Sequence, residues 1–174
     1  MSLECEFNQE FDPKHMFQYV NNEISVMHCH HYASLFTKLA IDMEKIGGTR
    51  HLRESMEESA YLTLQRLCLT QKVASKDERM QIAQQYFGMC GLGQLELSVD
   101  STGGTAKMIH SHVDEGWIKK WQKEKNPVNF IGQGYIIASF AIINGKSIGF
   151  YETKEIKSIV KGDSHSEFII TQKG

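Results

Sequence analysis

The stretch VMHCHHYASLF, residues 26 to 36, places His28, Cys29, His30 and His31 in four consecutive positions. Imidazole nitrogens and thiolates are the donors zinc prefers, and a structural zinc site takes four of them in a tetrahedron. On a helix, residues three apart share a face, so His28 and His31 can reach a common ion. Two further ligands must come from elsewhere. His110 and His112 are the candidates, because alternate strand positions share a face. No recognised spacing motif stands behind this four-histidine set, and two other readings compete with it. His28 falls in line with Tyr32, Leu35 and Phe36. It can be a core histidine bonded to a backbone carbonyl, or a polar group in an apolar wall that orients a small molecule. Cys29 would act as a nucleophile only beside a base that lowers its pKa, and neighbours along a helix point in different directions.

The aromatic and sulfur residues carry a similar pair of meanings. Trp117 and Tyr135 suit either a packed core or the lining of a ligand pocket. Met80, Met89 and Met108 would line an adaptable pocket, or fill an irregular core. Enzyme signatures are missing: the chain has no GxSxG, no phosphate-binding P-loop and no HExxH. GLGQLE, residues 91–96, lacks the third glycine of a dinucleotide fingerprint and precedes a strand. The acidic pair Glu57-Glu58 reads as the solvated side of a helix.

The elements that must position these residues follow from periodicity. Residues 28–46 are expected to form a helix with Tyr32, Leu35, Phe36, Leu39, Met43 and Ile46 as its inward stripe, ended by GGTR at 47–50. A second helix covers about 51–70, with Leu52, Met56, Ala60, Leu64 and Leu67 inward. Ser75 opens a third through the capping box SKDE, with Met80, Ala83 and Phe87 on its apolar face. The period then changes to two: QLELSVD, the turn STGG and TAKMIHSH make a β-hairpin. SHVD at 111–114 starts another helix through Trp117, Ile118 and Trp121. Asn126 with Pro127 is expected to cap a buried helix over 127–143, closed by Asn144-Gly145. Two strands, about 147–160 and 165–172, joined at KGDS, end the chain. Helices followed by an antiparallel sheet mean α+β.

Composition bounds the function. The 174 residues suffice for one hydrophobic core, and 41% hydrophobic with 23% charged residues is ordinary globular usage. A net charge of −2 and a pI near 6.4 supply no excess to drive phosphate binding, so nucleic acid is not an expected partner. YIIASFAII is far short of the roughly 20 apolar residues of a membrane span, and the acidic start MSLECEFNQEFDPK is unlike a signal peptide. The expectation is a cytoplasmic protein whose four cysteines, Cys5, Cys29, Cys68 and Cys90, are reduced thiols.

The most specific segment is residues 132–170, GQGYIIASFAIINGKSIGFYETKEIKSIVKGDSHSEFII. It resembles the 4-vinyl reductase domain family, small-molecule-binding modules related to the vesicle-tethering TRAPP subunits. That family closes with a glycine-opened helix, a strand carrying E-x-x-C, then G-D-x-x-C-x-F. Here Gly134 and Tyr135 would open the helix and Gly145 close it, and the final motif reads Glu155, Ser158, Gly162, Asp163, Ser166, Phe168. In many members the glutamate and the cysteines, with one more cysteine ahead of the helix, hold zinc. This chain has serine at both motif cysteines and no cysteine near Asn129. A neutral hydroxyl is a poor zinc ligand, so the family zinc is expected to be lost and no cofactor is expected.

What the resemblance implies is a single domain over 1–174: an N-terminal extension at 1–24 and a 4-vinyl-reductase-like domain at 25–172, with helices packed on a C-terminal antiparallel sheet. It would be a non-catalytic binding or sensor domain for a small hydrophobic or aromatic molecule, often dimeric, reporting to a regulatory or pathway-enzyme partner. The ligand would lie between helices and sheet, against His28, His31, Tyr32, Met108, His110, Trp117 and Tyr135. The alternatives are an enzyme (a reductase accessory or a small-heterocycle hydrolase) using Cys29 with His28 or His31, metal binding through the histidine cluster, or a tethering-type interaction module with an acyl chain in its cavity.

Overall fold

The computed structural model describes residues 7–25 and 29–174. The chain opens with a three-stranded antiparallel ribbon, β1 (Gln9–Asp12), β2 (Phe17–Val20) and β3 (Glu23–Ser25), paired in that order. These strands lie in, and reach one residue beyond, the segment expected to be an N-terminal extension. Five helices and a second sheet follow: α1 (His30–Asp42), α2 (Gly48–Thr70), α3 (Lys76–Met89), the hairpin β4 (Gly93–Val99) and β5 (Gly103–Ser111), α4 (His112–Trp121), α5 (Phe130–Asn144), β6 (Tyr151–Lys157) and β7 (Ser166–Gln172). The second sheet runs β4-β5-β7-β6, antiparallel throughout. The architecture is α+β, as the sequence predicts.

The local signals act where the sequence places them. Ser75 accepts from the Glu78 amide while Glu78 reaches back to the Ser75 amide, the full capping box. Gly47 and Gly145 take left-handed conformations just past helical segments, at φ +79° and +63°. Asp100 accepts from the amides of Thr102 and Gly103, which fixes the tight turn between β4 and β5.

α5 is buried from Gly132 to Ile143 and forms the centre of the core. Leu95, Leu97, Ala106, Met108, Phe168 and Ile170 reach the core from alternating strand positions, and Leu64, Ile82 and Phe87 from α2 and α3. Removing each of these side chains other than Ala106 from water contributes roughly 1.5–3 kcal/mol. Tyr135 joins them, its hydroxyl donating to the Ala83 carbonyl at 2.7 Å and its ring 4.9 Å from that of Phe87.

Several expectations need correction. The apolar stripe of α1 faces outward: Tyr32, Leu35, Phe36 and Leu39 are exposed, as are Met43 and Ile46 beyond the helix, the last at 65%. The buried side is Ala33, Ser34, Thr37 and Ala40, because small residues let α1 approach α4 closely enough for the Ser34 hydroxyl to reach the Val113 carbonyl at 3.1 Å. Glu57 is buried rather than solvated, and accepts from the Gly149 amide at 2.8 Å. The central helix begins three residues later than Asn126-Pro127 suggests, capped by Asn129, whose side chain accepts from the Gly132 amide. Gly134 therefore does not open that helix. It sits one turn inside, where α5 crosses α2, and a Cβ there would lie 2.3 Å from the Arg53 carbonyl oxygen. β5 ends at Ser111 and His112 is the first residue of α4, so His110 and His112 do not share a strand face.

The crossing yields a sign-reversed prediction. In an exposed helix Gly→Ala stabilises by roughly 0.5–1 kcal/mol, but here the neighbour is rigid backbone. Gly134→Ala is expected to destabilise by about 2 kcal/mol or more, read as a lower urea midpoint at unchanged m-value.

Candidate functional site

Three chain segments that end near one another build a buried polar cluster. The end of β5 and the start of α4 supply Ser111 and Asp114, where the Ser111 hydroxyl caps α4 by accepting from the Asp114 amide. The start of α5 supplies Asn129 and Gln133. The β6–β7 connection supplies Glu155, Ser158 and Ser166. Ser111, Asp114, Asn129, Ser158 and Ser166 are almost completely buried. A bulge at Ile156, just after Glu155, breaks the β6–β7 register, a common device for aiming a side chain beside a site.

The motif residues have legible local roles. Asp163 accepts from the Ser158 amide at 2.8 Å and Ser166 Oγ accepts from the Ile159 amide at 3.1 Å, so two motif side chains hold the single 3-10 turn between β6 and β7. Gly162 ends that turn at φ +107°, a conformation that favours glycine. Phe168 is core.

Asn129 joins the segments. Its Oδ1 accepts from the Gly132 amide at 2.8 Å, and its Nδ2 lies 2.9 Å from both Ser111 Oγ and Asp114 Oδ2. The cap fixes the orientation of the amide: Oδ1 must face a backbone donor, so the NH2 group must face Asp114. Nδ2 also lies 3.5 Å from Met108 Sδ, which borders the cluster on its core side.

Two carboxyl groups share this cluster, and the charges that bear on each are those of other acids. Burial pushes the Asp114 carboxyl up to about 6, against the opposing pull of hydrogen bonds from Ser111, Asn129 and Ser166. Burial, then the neighbouring Asp114 charge, pushes Glu155 up to about 7, while Ser158, Gln133 and Ser166 pull it down. Asp114 Oδ1, Glu155 Oε1 and Ser158 Oγ are buried without a hydrogen-bond partner of good geometry.

The residues present do not fit the family's zinc. Zinc needs lone pairs on anionic or imidazole donors, but Asn129 directs an NH2 group into the cluster and Ser158 and Ser166 offer neutral hydroxyls. Among the described residues no group of three or more His, Cys, Asp and Glu is placed to hold a metal ion.

A second set of features adjoins the cluster. Trp117 lies one turn along α4 from Asp114 and is 4% exposed, with its ring 4.7 Å from that of Trp121. Val128 and Val160 complete this minor core, and Ile41 of α1 packs on it. Trp117 Nε1 and the fully buried Thr37 Oγ1, one turn before Ile41, also lack hydrogen-bond partners.

The other expected site residues scatter. His28 lies outside the described residues. His31 and Tyr32 are at the surface on α1, the Tyr32 ring 4.9 Å from Phe36. His110 is exposed, its Nδ1 3.3 Å from Glu115. Met108 is fully buried beside Asn129, and Tyr135 lies in the main core. Cys29 caps α1 from an exposed position. Burial pushes the thiols of Cys68 and Cys90 up, away from thiolate reactivity, although Cys90 itself reaches solvent. A depression of about 340 Å³ lies on the N-terminal ribbon, lined by Glu10, Phe11, Pro13 and Tyr19 and by none of these residues. Sequence reasoning passes over Asp114, although its spacing with Trp117 and Trp121 puts an acid on an apolar helix face.

No family model and no curated protein matches the sequence. Solved structures do. The phenol-responsive sensory domain of the transcription activator PoxR, with phenol, superposes at TM-score 0.77 and 12% identity, over 94% of this chain and 84% of that one. A vinyl-4-reductase family protein from Methanocaldococcus jannaschii gives TM-score 0.59 at 15% identity, covering 86% and 85%. A trafficking protein particle complex subunit 3 from Naegleria fowleri, covalently bound to palmitic acid, gives 0.54 at 14%, covering 83% and 95%. The fold is of the 4-vinyl reductase type, as the tail motif implies. No helix among the described residues is long and apolar enough to cross a membrane.

The acid pair sets a pH prediction. Carboxyl groups whose folded pKa is raised contribute most below their unfolded values, near 4, and that contribution is lost as pH rises through about 6 to 7. Glu155→Gln removes the Glu155 share. Its stability relative to the native chain is expected to rise between pH 4 and pH 8 by on the order of 2–3 kcal/mol. Urea denaturation at a series of pH values checks this, and a difference independent of pH would contradict it.

Proposed function

We propose that this chain is a small-molecule-binding domain of the sensor type, taking a compact aromatic molecule that carries one hydroxyl-like group. The observation that carries the reading is the seam between α1 and α4. The Trp117 indole N–H on α4 and the Thr37 hydroxyl on α1 are both buried without partners, as is Asp114 Oδ1 one turn before Trp117 on α4. A buried orphan costs about 1–3 kcal/mol, so a group that satisfies several at once is bound by the polar atoms it relieves and by the apolar wall of Trp121, Ile41 and Val160. Similarity in fold to a phenol-responsive sensory domain supports the same class of ligand. In this reading Trp117 and Thr37 make the polar contacts, Met108 offers an adaptable thioether from the core side, and Tyr135 is structural because its hydroxyl is already bonded.

The reading includes a homodimer and an output partner. The outward stripe of α1 offers an apolar face larger than isolated surface residues provide, and a helix face can pair with its own copy about a two-fold axis. Bound ligand would then be reported to a regulatory protein or a pathway enzyme through that assembly.

Trp117 and Trp121 are the chain's two tryptophans, so intrinsic fluorescence reads this seam directly. Titration with phenol, cresols, indole and naphthol is expected to give a saturable change with at least one of them, together with a raised melting temperature. Thr37→Val keeps the shape and removes the hydroxyl, and should weaken binding about three- to tenfold, the worth of one hydrogen bond. No saturable response to any of these compounds would overturn the reading. In parallel, Leu39→Glu on the outward stripe should convert a dimer to a monomer by light scattering on size exclusion.

A further inference from the structure

The cluster at the family's zinc position raises a separate question: what joins α4, α5 and the β6–β7 hairpin where the motif residues cannot hold a metal? We infer that a hydrogen-bonded clamp centred on Asn129 and Asp114 has replaced the metal as the cross-link, leaving a domain that folds without metal while retaining the outline of the cage.

A metal clamp ties several chain segments to one point, and the cluster does the same with protons. From Asn129, at the N-terminus of α5, the amide reaches backward to Ser111 and Asp114 and forward to the Gly132 amide. From β7, the Ser166 hydroxyl lies 3.5 Å from the same Asp114 oxygen and also accepts from the Ile159 amide. Asp114 Oδ2 therefore receives α5 through Asn129 and the hairpin through Ser166. From β6, Glu155 is reached by Gln133 of α5 at 3.4 Å, a second tie between α5 and the hairpin. Every tie uses N–H or O–H donors on carboxylate or hydroxyl oxygens. A cation at the centre would meet the hydrogens of Asn129, which the helix cap holds in place.

In this inference the outline of a metal cage persists because Glu155, Ser158, Gly162, Asp163 and Ser166 keep the spacing of the motif. Ser158 and Ser166 are fully buried in the turn fixed by Asp163 and Gly162, and Ser158 Oγ has no partner of good geometry. A thiolate on each of these short side chains, with one at 129 and the Glu155 carboxylate, makes a zinc-type donor set. The substitution at 129 also removes the NH2 group that repels a cation.

Two experiments on the full chain test this. First, protein purified without chelator or affinity nickel is submitted to elemental analysis and melted with and without EDTA. The expected result is no stoichiometric divalent metal and an unchanged melting temperature, with Asn129→Ala lowering that temperature by about 5 °C or more. A stoichiometric metal whose removal lowers the melting temperature overturns the inference, as does an Asn129→Ala protein that melts like the native one. Second, the variant combining Asn129→Cys, Ser158→Cys and Ser166→Cys is titrated with cobalt(II). A one-to-one complex showing thiolate-to-cobalt charge transfer and tetrahedral d–d bands, absent from the native chain, supports the retained cage. A folded triple variant that takes up no cobalt shows the cage is gone and overturns that part. If the triple variant does not fold, Asn129→Cys with Ser166→Cys alone, expected to bind cobalt more weakly, decides it by the same spectrum.

Discussion

The carboxamide of Asn129 is the interaction on which the organisation of this domain depends. One end of it caps the central helix, and the other reaches the acid on α4. A capping bond of this kind contributes about 1 kcal/mol in isolation, but here the same side chain also provides Asp114 with a donor. α5 is buried on all sides, so where it begins and how it is turned decide what every neighbouring element packs against. The glycine at 134 then lets α2 cross at backbone contact, with the Arg53 carbonyl in the space a side chain would fill. Start and crossing together fix the helix in register and in rotation. The sheet can be laid over it because Met108 and Phe168 meet a surface that is already set.

That arrangement carries an electrostatic load. Asp114 and Glu155 sit in one cluster, and the charges that bear on their titration are those of acids, Glu115 on Asp114 and Asp114 on Glu155. Burying charge without a cation beside it costs free energy that counts in a domain whose net stability is about 5–15 kcal/mol. Burial makes each carboxyl keep its proton to higher pH than usual, up to about 6 for Asp114 and about 7 for Glu155, and below those values a protonated carboxyl is a donor as well as an acceptor. The cluster thus resembles a small hydrogen-bonded core more than an ion pair, and its satisfaction is uneven. Asp114 Oδ2 is shared between two donors while Oδ1 has none. Unpartnered polar atoms also occur on two helices that contact each other, Trp117 Nε1 on α4 and Thr37 Oγ1 on α1, where α1 buries small residues. Packing is thus most complete around α5, and polar pairing is less complete on α1 and α4.

Much of this fold is legible in the sequence, for a local reason. The capping box at Ser75, the helix-closing glycines and the Asp100 turn are decided within a few residues, so their signals act before tertiary structure intervenes. The hairpin and the continuous burial of α5 follow from period and composition alone. The tail motif locates the polar cluster, because Glu155, Ser158 and Ser166 stand at its positions. The start of α5 is less legible. Asn126-Pro127 satisfies the local rules for a helix start, yet Asn129 takes the role because only from there can the amide also reach Asp114, a partner fifteen residues away. Glu57 goes unrecognised for a similar reason, its acceptor being used by the Gly149 amide ninety-two residues on.

The first helix shows most clearly what a hydrophobic pattern does and does not state. Tyr32, Leu35, Phe36 and Leu39 recur at helical spacing, and the inference that these residues make a helix is correct. The further step, that such a stripe must face the chain's own core, assumes that nothing else can cover it. In this domain the close contact is made by Ala33, Ser34, Thr37 and Ala40, whose small side chains bring α1 against α4. A face of small residues buries less apolar area than the stripe opposite, so burial area alone would turn the helix the other way. The observed rotation is therefore set by what α4 presents. It presents the Val113 carbonyl to receive Ser34, and Ile41 packs on the cluster of Trp117, Val128 and Val160. Helix rotation here is a property of the pair, and it leaves the apolar stripe of α1 on the outside.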